Sequence, residues 1–189
     1  FADAPIHWHE ATNAALLAPC GAARFNRELL SHRAILAIGS VEPHYFAGAT
    51  GAHKTVTIGC LAREDIERNH AGALDPASDI LALRGNPIYD GVAALLRDLR
   101  EGGRSIVAIN QVLCGECVVA AAAGDPLETL DRLIPVVREV YVHEIDRAVD
   151  VLHLRVPPPL GRNLYQADKA LKNNHLAVRD GGAIVLDAA

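Results

Sequence analysis

The segment from Asn86 to Gly103 carries the clearest local signal in this sequence. Asn86 is a favourable helix cap, and Pro87 follows it at the first helical position, where a missing N–H group has no partner to lose. Apolar residues then recur at helical spacing until a glycine pair ends the pattern, at Val92, Leu95, Leu96, Leu99, Gly102 and Gly103. The sequence therefore predicts an amphipathic helix, and the fold must place a core against its apolar face.

Shorter apolar runs of β character lie on both sides of this helix. Residues 34–38 predict one strand, residues 105–113 and 117–123 predict a hairpin, and residues 149–156, 163–175 and 183–186 predict a strand–helix–strand unit with a right-handed crossover. Asp125 and Pro126 predict the start of another helix, which Pro135 should kink or divide. This mixture indicates an α/β fold of two small lobes with a ligand cleft between them.

Composition limits the classes of partner. With 18 basic and 23 acidic residues the net charge is −5, which gives no electrostatic footprint for nucleic acid. The longest apolar run, residues 117–123, is far shorter than the roughly 20 residues of a membrane span. No secretory signal opens the chain, so the four cysteines are expected to be thiols in the cytoplasm. The chain contains no methionine and begins at Phe1, so we expect it to lack the natural start of translation.

The stretch of residues 42–70 gathers the chemically distinctive side chains His44, Lys54 and His70. Between His44 and Lys54 lie small residues that leave backbone N–H groups free to close on an anion or a flat ligand, among them Gly48 and Gly51. Residues 61–69 have helical character, and His70 should close that helix. A single histidine or lysine is usually structural or solvated, but this grouping predicts a binding loop.

A phosphate-binding loop of the Gly-x-x-x-x-Gly-Lys-Ser/Thr kind is one alternative, since Gly48, Lys54 and Thr55 fall on its spacing. His53 stands where the second glycine belongs. Its side chain would obstruct the close approach of backbone to phosphate, so the spacing alone favours this alternative weakly.

Two further groups of residues could bind metal or carry out redox chemistry. His7 and His9 would share one face of a strand, close to Glu10, but no additional ligands follow at metal spacing. Cys114 and Cys117 form a C-x-x-C pair without the helix N-terminus of a redox site or the second ligand pair of a zinc site. A solvated or packed terminus and two buried or turn thiols are the simpler interpretations.

The order of motifs resembles that of the nickel-dependent lactate racemase family. The resemblance rests on Glu42-Pro43-His44-Tyr45-Phe46-Ala47-Gly48, Lys54 and Asn69-His70, and it continues through Gly85-Asn86-Pro87, Gly124-Asp125 and Asn163-Leu164-Tyr165-Gln166-x-x-Lys169. The chain departs from the family at Ala52 and His53, which replace a glycine and commonly an arginine, and at Thr57-Ile58-Gly59, which replaces Leu-Pro-Gly.

The resemblance implies roles for individual residues. Lys54 would carry a nickel-pincer nucleotide through a thioamide, His70 would ligate the nickel, and His44 would be the catalytic acid/base. Gly48 and Gly51 would lie in the cofactor-binding loop. From the second lobe, a group of residues would hold the substrate carboxylate, namely Tyr165, Gln166 and Lys169.

The implied function is isomerase activity, the racemisation or epimerisation of a lactate-like 2-hydroxy acid by reversible hydride transfer to the nickel cofactor. Residues 1–103 would form the cofactor-binding lobe, incomplete at its N-terminus, and residues 104–189 a second lobe, incomplete at its C-terminus. The expected partners are the substrate and the cofactor-biosynthesis enzymes, with no nucleic acid or membrane. The family has a second acid/base histidine upstream, so the chain alone is expected to turn over poorly. A non-catalytic or truncated homologue that binds the cofactor or an anion is the main alternative.

Overall fold

The structure is a computed structural model and describes residues 4–188. The strands are β1 (Leu17–Cys20), β2 (Ala23–Asn26), β3 (Ala34–Ser40), β4 (Pro43–His44), β5 (Gly48–Ala49), β6 (Ser105–Cys114), β7 (Cys117–Gly124), β8 (Val149–Val156) and β9 (Val178–Ala188). The helices are α1 (Arg27–Ser31), α2 (Ala52–Val56), α3 (Arg63–His70), α4 (Pro87–Glu101), α5 (Pro126–Tyr141) and α6 (Leu164–Asn174). The predicted α/β fold class is confirmed.

The largest sheet has the strand order β3-β6-β7. β3 and β6 are parallel, with Ala37 opposite Ala108, and β6 and β7 form the antiparallel hairpin that the sequence predicts. Helices α2 and α5 pack on this sheet. The buried face of the sheet joins a core of Phe25, Leu61, Leu96 and Leu99 with Ala37 and Ala108.

Helix α4 begins and ends where the sequence predicts. The Asn86 side chain accepts hydrogen bonds from the N–H groups of Ile88 (2.9 Å) and Tyr89 (3.4 Å), which caps the first turn. Leu96 and Leu99 are fully buried. The Asn86 amide also donates to the Phe46 carbonyl oxygen at 2.8 Å, so the cap ties α4 to the stretch that follows β4.

Asn86→Ala should lower the free energy of unfolding by about 2–4 kcal/mol, because it removes a cap and leaves the buried Phe46 carbonyl without its amide donor. Asn163→Ala is the matched control, since Asn163 caps the exposed start of α6 through the Gln166 N–H. It should cost about 1 kcal/mol. Urea unfolding followed by circular dichroism measures both values. Equal losses in the two variants would show that the bond to Phe46 adds nothing.

Two local predictions differ from the structure. Helix α5 runs without a break through Pro135, which lies on its exposed side, so the predicted division is not observed. Helical spacing in the sequence predicts that Leu164, Ala167 and Leu171 face the sheet, but Leu164 is 75% exposed while Ala167 is fully buried. Leu164 is the first residue of α6, and the core contact of this helix begins one turn later.

The last part of the described chain forms the predicted strand–helix–strand unit. Strands β8 and β9 pair in parallel, and α6 lies between them in sequence and packs on both. The division of the chain after residue 103 stays a prediction. It falls between β3 and β6, two hydrogen-bonded strands of one sheet. Within residues 4–188, no helix has the length and apolar character needed to cross a membrane.

Candidate functional site

Hydrogen bonds hold the chain segment after β3 at the carboxyl end of the sheet. The Val41 N–H donates to the Gln111 carbonyl oxygen at 2.7 Å. The Thr50 hydroxyl donates to the Ser40 carbonyl oxygen (2.8 Å) and accepts from the Glu42 N–H (2.9 Å). These bonds hold both ends of the segment that contains His44 at the sheet edge where α/β proteins bind ligands.

Close backbone approaches explain the glycine at position 48. Gly48 has φ +75°, and a Cβ there would lie 2.2 Å from the Ala82 carbonyl oxygen. Gly39 approaches α2 in a similar way, since a Cβ at that position would lie 2.5 Å from the Ala52 nitrogen. Any side chain at these two positions would push the site segments apart.

The predicted binding loop around Gly48 and Gly51 is shorter in the structure than the sequence suggests. Gly51 precedes α2, so Lys54 lies on a short helix and not at the end of a loop. Backbone N–H groups that a phosphate would need already have partners: Ala49 donates to Ala47, Thr50 to Glu42, and both Lys54 and Thr55 to Gly51. This pairing argues against the phosphate-binding-loop alternative.

Asn110 supports α2 from beneath and was not identified from the sequence. It is fully buried on β6, its side-chain oxygen accepts the Ala52 N–H at 2.8 Å, and its amide donates to the Thr129 hydroxyl at 2.9 Å. The signal available was a lone amide within an apolar strand, because a buried polar group needs hydrogen-bond partners. Asn110 thus positions the helix that carries Lys54.

Phe46 is the ring around which the three distinctive side chains meet. The His44 ring lies edge-on to Phe46 with centroids 4.5 Å apart, and the His70 ring does the same at 5.1 Å. The Lys54 Nζ atom lies 5.9 Å from the Phe46 ring centroid. Tyr45 stacks on His44 at 5.0 Å. Residues far apart in sequence are therefore gathered on one aromatic residue.

His70 has one ring nitrogen engaged. As predicted, it ends α3, and its Nδ1 atom lies 2.8 Å from the Ile66 carbonyl oxygen. Since a carbonyl can only accept, Nδ1 carries the hydrogen and Nε2 keeps its lone pair. Burial lowers the pKa of His70, the bond to Ile66 raises it, and the Lys54 charge lowers it. A neutral imidazole held in this way is the usual form of a metal-binding histidine.

His44 has an environment that suppresses its protonated form. It is 8% exposed, and its pKa is lowered to about 3, first by burial and then by the charges of Lys54, Lys169 and His70. The Ala47 N–H lies 3.3 Å from Nδ1, which leaves the hydrogen on Nε2. At neutral pH this environment favours the uncharged imidazole of His44.

The Lys54 amine holds its proton less tightly than an ordinary lysine does. Burial, followed by the charge of Lys169, lowers its pKa to about 8. Roughly a tenth of such amines are uncharged at neutral pH, and the uncharged amine is the nucleophilic form. The neighbouring His53 is 1% exposed, its Nδ1 atom has no hydrogen-bond partner, and burial lowers its pKa to about 3.

Helix α6, from the strand–helix–strand unit of β8, α6 and β9, approaches the same cluster. The charge of Lys169 acts on both His44 and Lys54, and Lys172, which pairs with Asp168 at 2.7 Å, places its Nζ atom 4.6 Å from the Tyr45 ring centroid. Lys169 and Gln166 are partly buried. Tyr165 is 75% exposed, so the structure brings Lys169 to the cluster and leaves Tyr165 in solvent.

The other candidates do not form a metal site in the described part of the chain. His9 uses both ring nitrogens, at 2.8 Å from the Leu61 carbonyl oxygen and 3.1 Å from the Asn26 amide nitrogen, while His7 is exposed. Cys114 and Cys117 are exposed free cysteines at the turn of the hairpin. Across residues 4–188, no three or more His, Cys, Asp and Glu side chains group as a metal site.

Lysine and histidine side chains are gathered at an edge of the α/β sheet, where proteins of this fold class commonly bind ligands. Residues 8–80 match the family described as the lactate racemase N-terminal domain, and this range contains the whole of residues 42–70. The resemblance to the lactate racemase family is confirmed.

Curated relatives include two lactate racemases. The one from Thermoanaerobacterium thermosaccharolyticum is 24% identical over 170 residues, which cover 89% of this chain and 39% of the relative. The one from Lactiplantibacillus plantarum is 24% identical over 159 residues, covering 82% and 36%. The chain therefore spans well under half the length of the racemases it matches.

Solved structures share the fold. The lactate racemase apoprotein from Thermoanaerobacterium thermosaccharolyticum superposes with a TM-score of 0.81 at 24% identity, covering 93% of this chain and 43% of that chain. A structural-genomics protein from Thermotoga maritima gives a TM-score of 0.68 at 22% identity, covering 81% and 43%.

Proposed function

We propose that this chain carries the cofactor site of a 2-hydroxy acid racemase or epimerase, with a nickel-pincer nucleotide attached to Lys54 and its nickel bound by His70. The observation that carries the proposal is the grouping of Lys54 and His70 on one aromatic ring, with His70 fixed through Nδ1 to Ile66. The relatives named lactate racemase supply the substrate class for this proposal.

The residues present fit such a cofactor. An imidazole with a free Nε2 lone pair suits nickel, and the bond from Nδ1 to Ile66 is the kind of support that orients a ligating histidine. A partly buried lysine with a pKa of about 8 would supply an uncharged amine for a covalent bond. When bound, the cofactor would supply the reversible acceptance of hydride from the carbon that bears the hydroxyl group.

The side chains of the protein would do the remaining work. Lys169 would bind the substrate carboxylate at the face of the site formed by α6, with Gln166 beside it. His44 would accept the hydroxyl proton at Nδ1, the ring nitrogen that holds no hydrogen in the neutral side chain, and return it from there. Phe46 and Tyr45 would exclude water from the reacting carbon, since both rings pack on His44.

Cofactor and substrate would also raise the pKa of His44. Two of the charges that depress its pKa belong to Lys54 and Lys169. An amide-type bond at Lys54 removes the first charge, and a carboxylate paired with Lys169 offsets the second. Loss of these two charge effects would raise the pKa of His44 above about 3, while burial, the largest cause of the depression, would remain.

The test of substrate class is ligand binding by the cofactor-loaded chain. Lactate should bind more tightly than propionate, which has the same carboxylate but no hydroxyl for His44, and Lys169→Gln should weaken lactate about tenfold or more by removing a charged contact. Lys172→Gln, on the same helix, is the matched control and should change affinity little. Isothermal titration calorimetry gives the constants. Equal affinity for the two acids would favour the alternative of a simple anion binder.

The test of the metal ligand is nickel retention. His70→Ala should reduce nickel per chain about tenfold or more in protein made with the cofactor-biosynthesis enzymes, since loss of even a supporting partner costs metal affinity on that scale. His175→Ala, at an exposed histidine at the end of α6, is the control. Metal content is measured by atomic emission beside circular dichroism. Undiminished nickel in a folded His70→Ala chain would remove His70 as the ligand.

A further inference from the structure

Cys114 and Cys117 face each other across the tip of the β6–β7 hairpin. They are the last paired residues of the two strands, and both are exposed. Gly115 has φ +61°, while Glu116 is not among the residues with positive φ. Glycine with positive φ at the first central position is the pattern of a type II′ turn, the tight connection that holds two strand ends in register.

The backbone places the two thiols within reach of one another. Directly paired residues of antiparallel strands have Cα atoms about 4.5–5.5 Å apart, and a disulfide accepts Cα separations of about 4.4–6.8 Å. The hairpin tip is exposed, and neighbouring Val118 and Val119 are 54% and 48% exposed, so no packed core resists a small adjustment of the turn. The C-x-x-C spacing therefore becomes a cross-strand thiol pair in the fold.

The other two cysteines of the chain have different surroundings. Cys20 is buried and donates to the Asp98 carbonyl oxygen at 3.5 Å. Cys60 donates to the Thr55 carbonyl oxygen at 3.5 Å, and burial raises its pKa, which disfavours the reactive thiolate. A thiol reagent in solution should therefore react first with Cys114 and Cys117, at the hairpin tip.

We propose that Cys114 and Cys117 are a redox-modification site that forms an internal disulfide by exchange with a low-molecular-weight disulfide such as oxidised glutathione. One thiolate attacks the glutathione disulfide, forming a mixed disulfide and releasing one glutathione thiolate. The second cysteine attacks the protein sulfur of the mixed disulfide and releases the other glutathione. The two protein thiols lose two electrons and two protons, and oxidised glutathione becomes two molecules of reduced glutathione.

The resulting cross-link would be readily reduced and would lie at the end of the strand that carries Gln111 and Leu113. Exposed disulfides at a tight turn belong to the labile class. The Tyr141 hydroxyl donates to the Leu113 carbonyl oxygen at 2.7 Å, and the Val41 N–H donates to the Gln111 carbonyl oxygen at 2.7 Å. Oxidation would thus fix the end of the hairpin against which the segment leading to His44 is held.

The experiment equilibrates the reduced, purified 189-residue chain with mixtures of oxidised and reduced glutathione, followed by acid quenching, alkylation under denaturing conditions and intact mass spectrometry. The native chain should lose two of its four alkylatable thiols together, with a mass lower by two hydrogens before alkylation. Peptide mapping should assign the link to Cys114 and Cys117. Return to excess reduced glutathione should restore all four thiols.

The single variants Cys114→Ser and Cys117→Ser test whether the two cysteines react as a pair or one at a time. Each should accumulate a mixed disulfide with glutathione at the remaining cysteine, at least about tenfold above the native chain, because the native partner thiol acts at high effective concentration. Cys60→Ser should behave as the native chain does. Four unreacted thiols in the native chain, or glutathione adducts as abundant there as in Cys114→Ser, would overturn the proposal.

Discussion

The free energy of unfolding of the cofactor-free chain should fall steeply as the pH drops from 6.5 toward 3, because two buried histidines resist protonation in the folded state. Burial is the main cause for both His44 and His53, and each pKa is lowered to about 3 from an ordinary value of 6.5. Above pH 6.5 neither the folded nor the unfolded chain binds these protons. Below it the unfolded chain takes them up while the folded chain does not, so stability is lost.

The expected loss of stability is large for a contribution from only two side chains. A single histidine of this kind lowers the free energy of unfolding by about 1.4 kcal/mol per pH unit, or about 2 kcal/mol between pH 6.5 and 5. Urea unfolding at several pH values between 5 and 8 measures the slope. His53→Gln should reduce it by about one histidine's share, and at pH 8 the variant shows its packing cost alone, since histidine is then neutral in both states.

His44→Gln supplies the second comparison. It should reduce the slope independently of His53→Gln, and the double variant should retain little more than the smaller contribution of half-buried His70, whose pKa is also lowered. A native chain whose stability is flat between pH 5 and 7 would show that neither His44 nor His53 is held neutral by burial.

Local signals in the sequence identified most elements of the fold. Asn86, Pro87 and the paired glycines mark α4 because caps and breakers act within one or two turns of the chain. The hairpin of β6 and β7 and the unit of β8, α6 and β9 follow from short apolar runs between turn residues. Leu164 was misassigned because helical periodicity gives a face but not the residue at which packing begins.

Local sequence signals did not identify the contacts that support the candidate site. Asn110 caps α2 through a bond to Ala52, 58 residues away, and no local pattern specifies that partner. The motif gave His44, Lys54 and His70, but their meeting on Phe46 depends on the approach of α2 and α3, which is a tertiary property. The lowered pKa of His44 likewise arises from burial and from charges on three separate helices.

The pairing of β3 with β6 shows a further limit. The glycine pair after α4 is a strong local break and suggested a lobe boundary at residue 103. Parallel strands need a crossover, and α4 lies within the connection between β3 and β6. A break in local structure within a crossover therefore need not divide a domain.

The central claim is that Lys54 anchors the cofactor. Lys54 has its Nζ atom 5.9 Å from the Phe46 ring centroid and a pKa of about 8, and we therefore propose its amine for the covalent bond. Protein made together with the cofactor-biosynthesis enzymes should therefore carry a cofactor adduct on the peptide that contains Lys54.

Intact mass and peptide mapping of four proteins test this claim most directly: the native chain and its Lys54→Arg, Lys169→Arg and Lys172→Arg variants. The adduct should be present in the native chain and in the two variants of α6, and absent from Lys54→Arg, because arginine keeps the charge but cannot form the bond. An adduct that persists in folded Lys54→Arg protein, or that maps to Lys169, would contradict the account.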